Sequence, residues 1–339
     1  MSDDHFTPLN DEGGNKIGAF EALRHLILLV LTFFTATVAG ILMPFGPIPL
    51  LAPENSPVVT DANQFFWTIP AIYSETVGVA VRLLLTDDRI LLSALCFSVP
   101  LLFILICHEM GHYVACRIYK VRATLPYFLP MPPLLSPAGT LGAFIKIKSP
   151  LPSRKATLDI GVAGPIAGFL AVIPVIVIGL MTMEPIPSGS FIEPGSLYFS
   201  DPLLTHLIGW MIGKDPNSGV INPFLAAGWL GLLITSLNLI PSGQLDGGHA
   251  VYSVFGERVH FWTGRIAFVA MLSLSMVGWY LYEVPGAILF TILLAVMMRA
   301  RHPKPLDDSA LDGKRLLVAA VTAVVFLLSF TPFPIKVIP

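Results

Sequence analysis

The sequence predicts an all-α polytopic membrane protein with about seven transmembrane helices and a small membrane-surface β element between the second and third. Three observations predict this class. First, 54% of the 339 residues are hydrophobic and only 12% are charged, where a soluble domain carries about 25% charged residues; the mean hydropathy is +0.75. Second, apolar runs near the length of about 20 residues that crosses a bilayer recur along the chain. Third, the loops between them alternate between rich and poor in lysine and arginine, the asymmetry that sets membrane topology.

The chain opens with a polar tail over 1–24, holding Asp3, Asp4, Asp11, Glu12 and Glu21. A signal peptide starts short and basic, so the first apolar run reads as a retained helix. Residues 25–339 read as a single membrane-embedded domain. The expected crossings are His25–Met43, Ile90–Val114, Ala156–Met183, Phe224–Ile240, Gly264–Tyr282, Pro285–Met298 and Leu316–Thr331. The sixth is short and suits a tight hairpin with the fifth. Phe65–Leu85 is apolar enough to lie on the membrane or dip into it.

The stretch from Arg117 to Lys155 holds Arg117, Lys120, Arg122, Lys146, Lys148, Arg154 and Lys155 with no acidic residue. The stretch from Arg299 to Arg315 is also basic. Both read as cytoplasmic. Met43 to Val81 has no lysine or arginine and Met183 to Pro223 has one, Lys214, so both read as external. Seven crossings from an inside N-terminus satisfy this pattern. The net charge of -2 gives no reason to expect a nucleic-acid partner.

Between the second and third crossings, Pro126, Pro130, Pro132, Pro133 and Pro137 forbid a continuous helix. GAFIKIKS (142–149) alternates Ile145 and Ile147 with Lys146 and Lys148, a period-two strand signal.

The chemistry starts at HEMGH, His108 to His112. Histidines at i and i+4 share a helix face, so both rings can reach one zinc ion. Glu109 can approach a water on that zinc and take its proton. Ionisable side chains inside a membrane segment are costly and by default functional. Catalytic zinc takes three protein ligands, so a third ligand is required at the depth of His108 and His112. The fourth crossing runs from outside to inside and ends in NLIPSGQLDGGH, Asn238 to His249. That brings Asp246 to the required depth. Pro241 stops the helix. Asn238 is a candidate to hydrogen-bond an extended substrate or a developing oxyanion, and His249 follows the turn as a supporting residue or a bystander. Cys96, Cys107 and Cys116 lie on one apolar segment and read as packing residues. Gly164 and Gly168 form a small-xxx-small pair that permits close helix approach.

HEMGH followed by NLIPSGQLDGGH resembles the site-2 protease family of intramembrane zinc metalloproteases, whose paired signature is HExxH on one helix and NxxPxxxLDG on another. AGPIAGF (163–169) looks like that family's intervening helix. The resemblance spans roughly residues 90–253. It implies one zinc ion held by His108, His112 and Asp246, with Glu109 as general base, and cleavage of single-pass transmembrane substrates within the bilayer. It also suggests a sheet that holds an unwound substrate by strand addition. The PDZ and CBS modules of many relatives do not fit these loops. A prokaryotic plasma membrane, with the site toward the cytoplasm, is the simplest home for a core this small, and a plastid membrane is the alternative. A metal-binding membrane transporter and an inactive homologue that binds membrane helices are the competing readings. The transporter reading leaves Glu109 and the NxxPxxxLDG turn unexplained.

Overall fold

The computed structural model describes residues 18–48, 62–186, 195–299 and 303–337. The polar tail up to residue 17 lies outside them. Ten helices carry the described chain: α1 Ala19–Ala39, α2 Ala62–Thr86, α3 Asp88–Ile118, α4 Arg154–Met181, α5 Leu203–Ile212, α6 Pro223–Asn238, α7 Asp246–Phe255, α8 Glu257–Tyr282, α9 Ile288–Met297 and α10 Gly313–Ser329. Two small antiparallel sheets accompany them, β1 Tyr127–Pro130 with β2 Thr140–Phe144, and β3 Leu197–Phe199 with β4 Ile335–Val337.

Among the described residues five helices, not seven, are long and apolar enough to cross a membrane: Ala19–Ala39, Thr68–Thr86, Asp88–Ile118, Arg154–Met181 and Glu257–Tyr282. Four of these answer expected crossings. The other three expected crossings fall on shorter helices: α6 has 16 residues, α9 has 10 and α10 has 17. Packing explains α6. It is sheathed by protein, with Leu225 to Leu232 continuously buried, so its length need not match the bilayer. The fifth long helix lies in the segment expected only to touch or dip into the membrane. Glu75, Arg82 and Pro70 dilute its apolar run, which hides it in the sequence. The chain turns from α2 into α3 on Asp87, whose carboxylate accepts from Arg89 N and Ile90 N and caps the new helix.

The core is a three-helix stack of α3, α4 and α6. Leu101, Ile104, Val172, Ile176, Leu230 and Leu232 are buried within it. Val172 and Ile104 both crowd the face of Gly231, and Ile176 that of Gly228, so backbones approach where side chains are missing. Of the long helices α4 is the most enclosed, with 61% of its apolar window inside the protein, which makes it the axis of the stack. Its uniformly apolar surface suits that place.

The β1–β2 hairpin pairs Tyr127 with Phe144 and Phe128 with Ala143. It departs from the sequence expectation in two ways. The regular strand ends at Phe144, and Ile145 to Lys148 continue it as an irregular ladder, with Thr124 N donating to Lys146 O and Lys148 N to Arg122 O. The hairpin also runs alongside α1, not only on a membrane surface. His25 Nδ1 meets Pro126 O at 2.9 Å and Thr35 Oγ1 donates to Gly139 O at 2.6 Å. Those contacts lie ten residues apart on α1, about 15 Å of helix. Because Lys146 and Lys148 point their backbone groups at residues 122–124, Ile145 and Ile147 point theirs the other way.

An ionic junction ties α10 to the core. Arg315 donates from Nε and Nη2 to Asp159 on α4, at 3.0 and 2.7 Å, and from Nη2 to the Tyr119 hydroxyl at the end of α3, at 2.8 Å. Such bidentate charge-assisted bonds are the strong kind. Arg315→Met is therefore expected to lower stability by about 1.5–3 kcal/mol, read as a lower unfolding midpoint in detergent; an unchanged midpoint would remove this junction from the forces holding α10.

Candidate metal centre

Three side chains named from the sequence converge. His108 and His112 stand one turn apart on α3, and Asp246 opens α7, more than a hundred residues later. Their donor atoms all lie within 4.8 Å of one another. His108 Nε2 and His112 Nε2 are 3.2 Å apart, and each is 3.3 Å from Asp246 Oδ2. A tetrahedral zinc ion with bonds of about 2.0–2.1 Å needs donors about 3.3–3.4 Å apart. The triangle therefore has the edge lengths of a zinc tetrahedron, with a fourth vertex left for a non-protein ligand. The tautomer also fits. His112 Nδ1 lies 2.7 Å from Ile160 O. A carbonyl only accepts, so Nδ1 carries the proton and Nε2 of the neutral ring offers its lone pair. The residues present thus fit zinc.

Glu109 and Asn238 stand beside this triangle. Glu109 Oε1 is 4.0 Å from His108 Nε2, and both side chains are almost fully buried. The backbone N–H of Ile145 faces the Glu109 carboxylate. Asn238, the last residue of α6, directs its Nδ2 to His108 Nε2 at 3.2 Å. All five residues singled out in the sequence therefore meet in one place.

Local folding explains the meeting. Between α6 and α7 the chain makes a compact turn through Ser242 to Leu245. Gly243 has φ +54, a conformation that favours glycine, and its carbonyl lies 2.9 Å from His260 Nε2 of α8. A side chain at Gly247 would strike the Leu239 carbonyl, so the turn closes only with glycine there. On the opposite wall, α4 presents glycines to the histidines. A methyl group at Gly164 would overlap the His112 ring, and one at Gly168 would sit 3.2 Å from His108 Cβ and Nδ1. Sequence reasoning read this pair as helix packing. It is packing, and what it accommodates is the imidazoles.

The site opens into a cavity of about 650 Å³. His108, Glu109 and His112 form one wall and Ala143 to Ile147 run along it. Pro303 and Lys304 stand at its mouth. The strand edge was legible in part, but the contribution of residues 303–307 was not, because a polar connector carries no pattern that reveals where it docks. That segment is pinned by Leu306 N donating to Leu151 O at 3.0 Å and Arg154 N donating to Asp307 O at 2.8 Å. Glu257, 3.0 Å from Lys304, hydrogen-bonds its ammonium and raises its pKa. The cysteines are not at the centre: Cys116 is buried in an apolar cluster with Ala115 and Ile160.

Gly164→Ala is expected to displace the His112 ring and abolish stoichiometric metal binding, while Gly168→Ala reduces it only partly. Zinc content of the purified variants, by atomic emission, checks this; full zinc occupancy in Gly164→Ala would contradict the close approach.

Residues 96–277 match peptidase family M50. A protein of Oryza sativa subsp. japonica, named "probable zinc metalloprotease EGY1, chloroplastic", is 31% identical over 320 residues, 91% of this chain and 50% of that protein. Its namesake from Arabidopsis thaliana is 29% identical over 313 residues, 91% of this chain and 52% of the relative. The Arabidopsis thaliana "probable zinc metalloprotease EGY2, chloroplastic" is 29% identical over 218 residues, 62% of this chain and 36% of the relative. The chain spans about half the length of the EGY1 proteins it matches. With the family match covering more than half of its residues, and both halves of the metal centre inside that match, the chain belongs to peptidase family M50.

Proposed function

We propose that this protein is an intramembrane zinc metalloendopeptidase that cleaves single-pass transmembrane proteins after local unwinding of their helices. The observation that carries the reading is the triangle of His108, His112 and Asp246 at zinc-like spacing with a buried carboxylate beside it. Those three residues would hold one zinc ion, which when bound would supply Lewis acidity and make water nucleophilic near neutral pH. Glu109 takes the proton of the attacking water as its oxygen bonds to the scissile carbonyl carbon. It returns that proton to the amide nitrogen as the carbon–nitrogen bond breaks. The Asn238 amide offers an N–H to the carbonyl oxygen as negative charge gathers there. Ile160 fixes the orientation of His112 through its carbonyl.

Substrate presentation falls to the strand edge. Ile145 and Ile147 turn backbone groups away from residues 122–124, the Ile145 N–H toward Glu109, and both residues line the cavity. An unwound substrate segment paired there lies beside Glu109 with its peptide bonds accessible, as strand addition provides. A helical substrate hides those bonds in its own hydrogen bonds, so pairing at this edge also offsets the cost of unwinding.

Residues 25–339 act in this reading as one membrane-embedded protease domain. Several apolar helices and the metalloprotease relatives support an integral membrane protein. The named relatives are called chloroplastic, so the comparisons do not support the prokaryotic plasma membrane expected from the small core. By likeness to them, a plastid membrane is the setting we propose.

Glu109→Gln is expected to retain one zinc per chain and to lose cleavage by at least about a hundredfold. Membrane proteomics of cells carrying either form then shows uncut single-pass proteins accumulating with the variant. Equal turnover by the two forms would overturn the general-base role. Ile147→Pro removes a backbone donor from the edge and is expected to raise KM for a transmembrane peptide with zinc content unchanged; an unaltered KM would argue against strand pairing.

A further inference from the structure

His249 stands in the same cavity and has no part in the chemistry set out above. It follows Asp246 by three residues on α7, so the two side chains share a helix face. Both line the cavity with His108, Glu109 and His112. The ring nitrogens of His249 fall outside the 4.8 Å group formed by the donors of His108, His112 and Asp246. It is therefore a wall of the site and not a fourth ligand.

Its placement is tightly constrained. The α-carbon face of Gly161 on α4 receives the His249 side chain: a methyl group there would stand 2.8 Å from His249 Cβ and 3.6 Å from the Asp246 carbonyl oxygen. The residue before Gly161 is Ile160, whose carbonyl holds His112. One turn of α4 thus sets the positions of His112 and His249 together. The root of the His249 side chain is thereby held, so its ring needs little reorganisation when charge develops near it.

We propose that His249 is a further catalytic residue: its ring N–H donates to the carbonyl oxygen of the scissile peptide and holds it more strongly as that oxygen becomes an anion. The inference rests on the protease reading. Bond changes are those already given. Water adds to the carbonyl carbon, the carbonyl pair moves to oxygen, Glu109 carries the proton, and the carbon–nitrogen bond breaks. His249 neither gains nor loses a proton. It works beside Asn238, which approaches from the end of α6, whereas His249 comes from α7.

The test uses the full chain in detergent or nanodiscs with zinc. His249→Ala is expected to keep one zinc per chain and an unchanged KM, and to lose about 10²–10³-fold in kcat. His249→Gln, which keeps an N–H donor, is expected to recover about tenfold of that loss. A binding measurement gives a readout independent of turnover. On the Glu109→Gln background, a peptide phosphinate presents a tetrahedral anion, while its parent peptide presents a planar amide. His249→Ala is expected to weaken the phosphinate by about the factor lost in kcat and to leave the parent peptide unaffected. The proposal is overturned if His249→Ala cleaves within threefold of wild type, weakens both ligands equally or loses zinc. If Ala unfolds the chain, the same comparison between His249→Gln and wild type decides it. Equal cleavage by wild type and Glu109→Gln would instead strike the protease reading, and the phosphinate measurement still judges His249.

Discussion

Everything at the metal centre depends on how closely α4 can approach α3. Two helices normally keep 8–10 Å between axes, and imidazole rings pointing into that gap would force them further apart. Here Gly164 and Gly168 leave room for His112 and His108, and Gly111 of α3 receives Ala163 and Ala167 of α4 in return. The missing side chains are distributed so that rings fill the space that methyl groups would occupy. The same approach brings the Ile160 carbonyl within 2.7 Å of His112 Nδ1, so one packing event provides both a place for the ring and its orientation. Remote effects on the centre follow from this geometry, because any change in α3–α4 spacing moves two of its three donors.

The second dependence is on the turn between α6 and α7. Asp246 sits in the first turn of a helix, where the backbone N–H groups favour a carboxylate, and it reaches the histidines only because the chain reverses within the seven residues after Asn238. Gly243 and Gly247 make that reversal sterically possible, and α8 secures it through His260. A helical protein in a membrane can hold irregular backbone only where protein surrounds it. The turn meets that condition.

Much of this was legible in the sequence. HEMGH spacing places two rings on one face without knowledge of the fold. The charge asymmetry of the loops brings Asp246 to the matching depth, and Gly164 with Gly168 announces a close helix contact. What sequence could not reveal is partner identity. Nothing in GPIAG says that its glycines face imidazoles, since a glycine pair reads the same whether it meets a leucine or a histidine. Counting crossings failed for a related reason. Hydropathy measures what a helix would cost in lipid, and α6 is surrounded largely by protein, so its 16 residues were not constrained by bilayer thickness. α2 was expected only to touch or dip into the membrane because Glu75 and Arg82 interrupt a run that is nonetheless 25 residues of helix. The placement of 303–307 depended on backbone hydrogen bonds, which any sequence can make.

Those hydrogen bonds have a geometric consequence. The backbone edge that faces the cavity runs from Ala143 to Ile147; beyond it the chain bends at Ser149, and the Leu151 carbonyl is already taken by Leu306 N. The trench is therefore closed at one end by the protein's own backbone. From Ala143 to Ile147 is four residue steps, about 13 Å of extended chain. On the proposed reading this amounts to a built-in ruler: a guest strand has that length to pair with before the chain bends and the docked connector stands in its way.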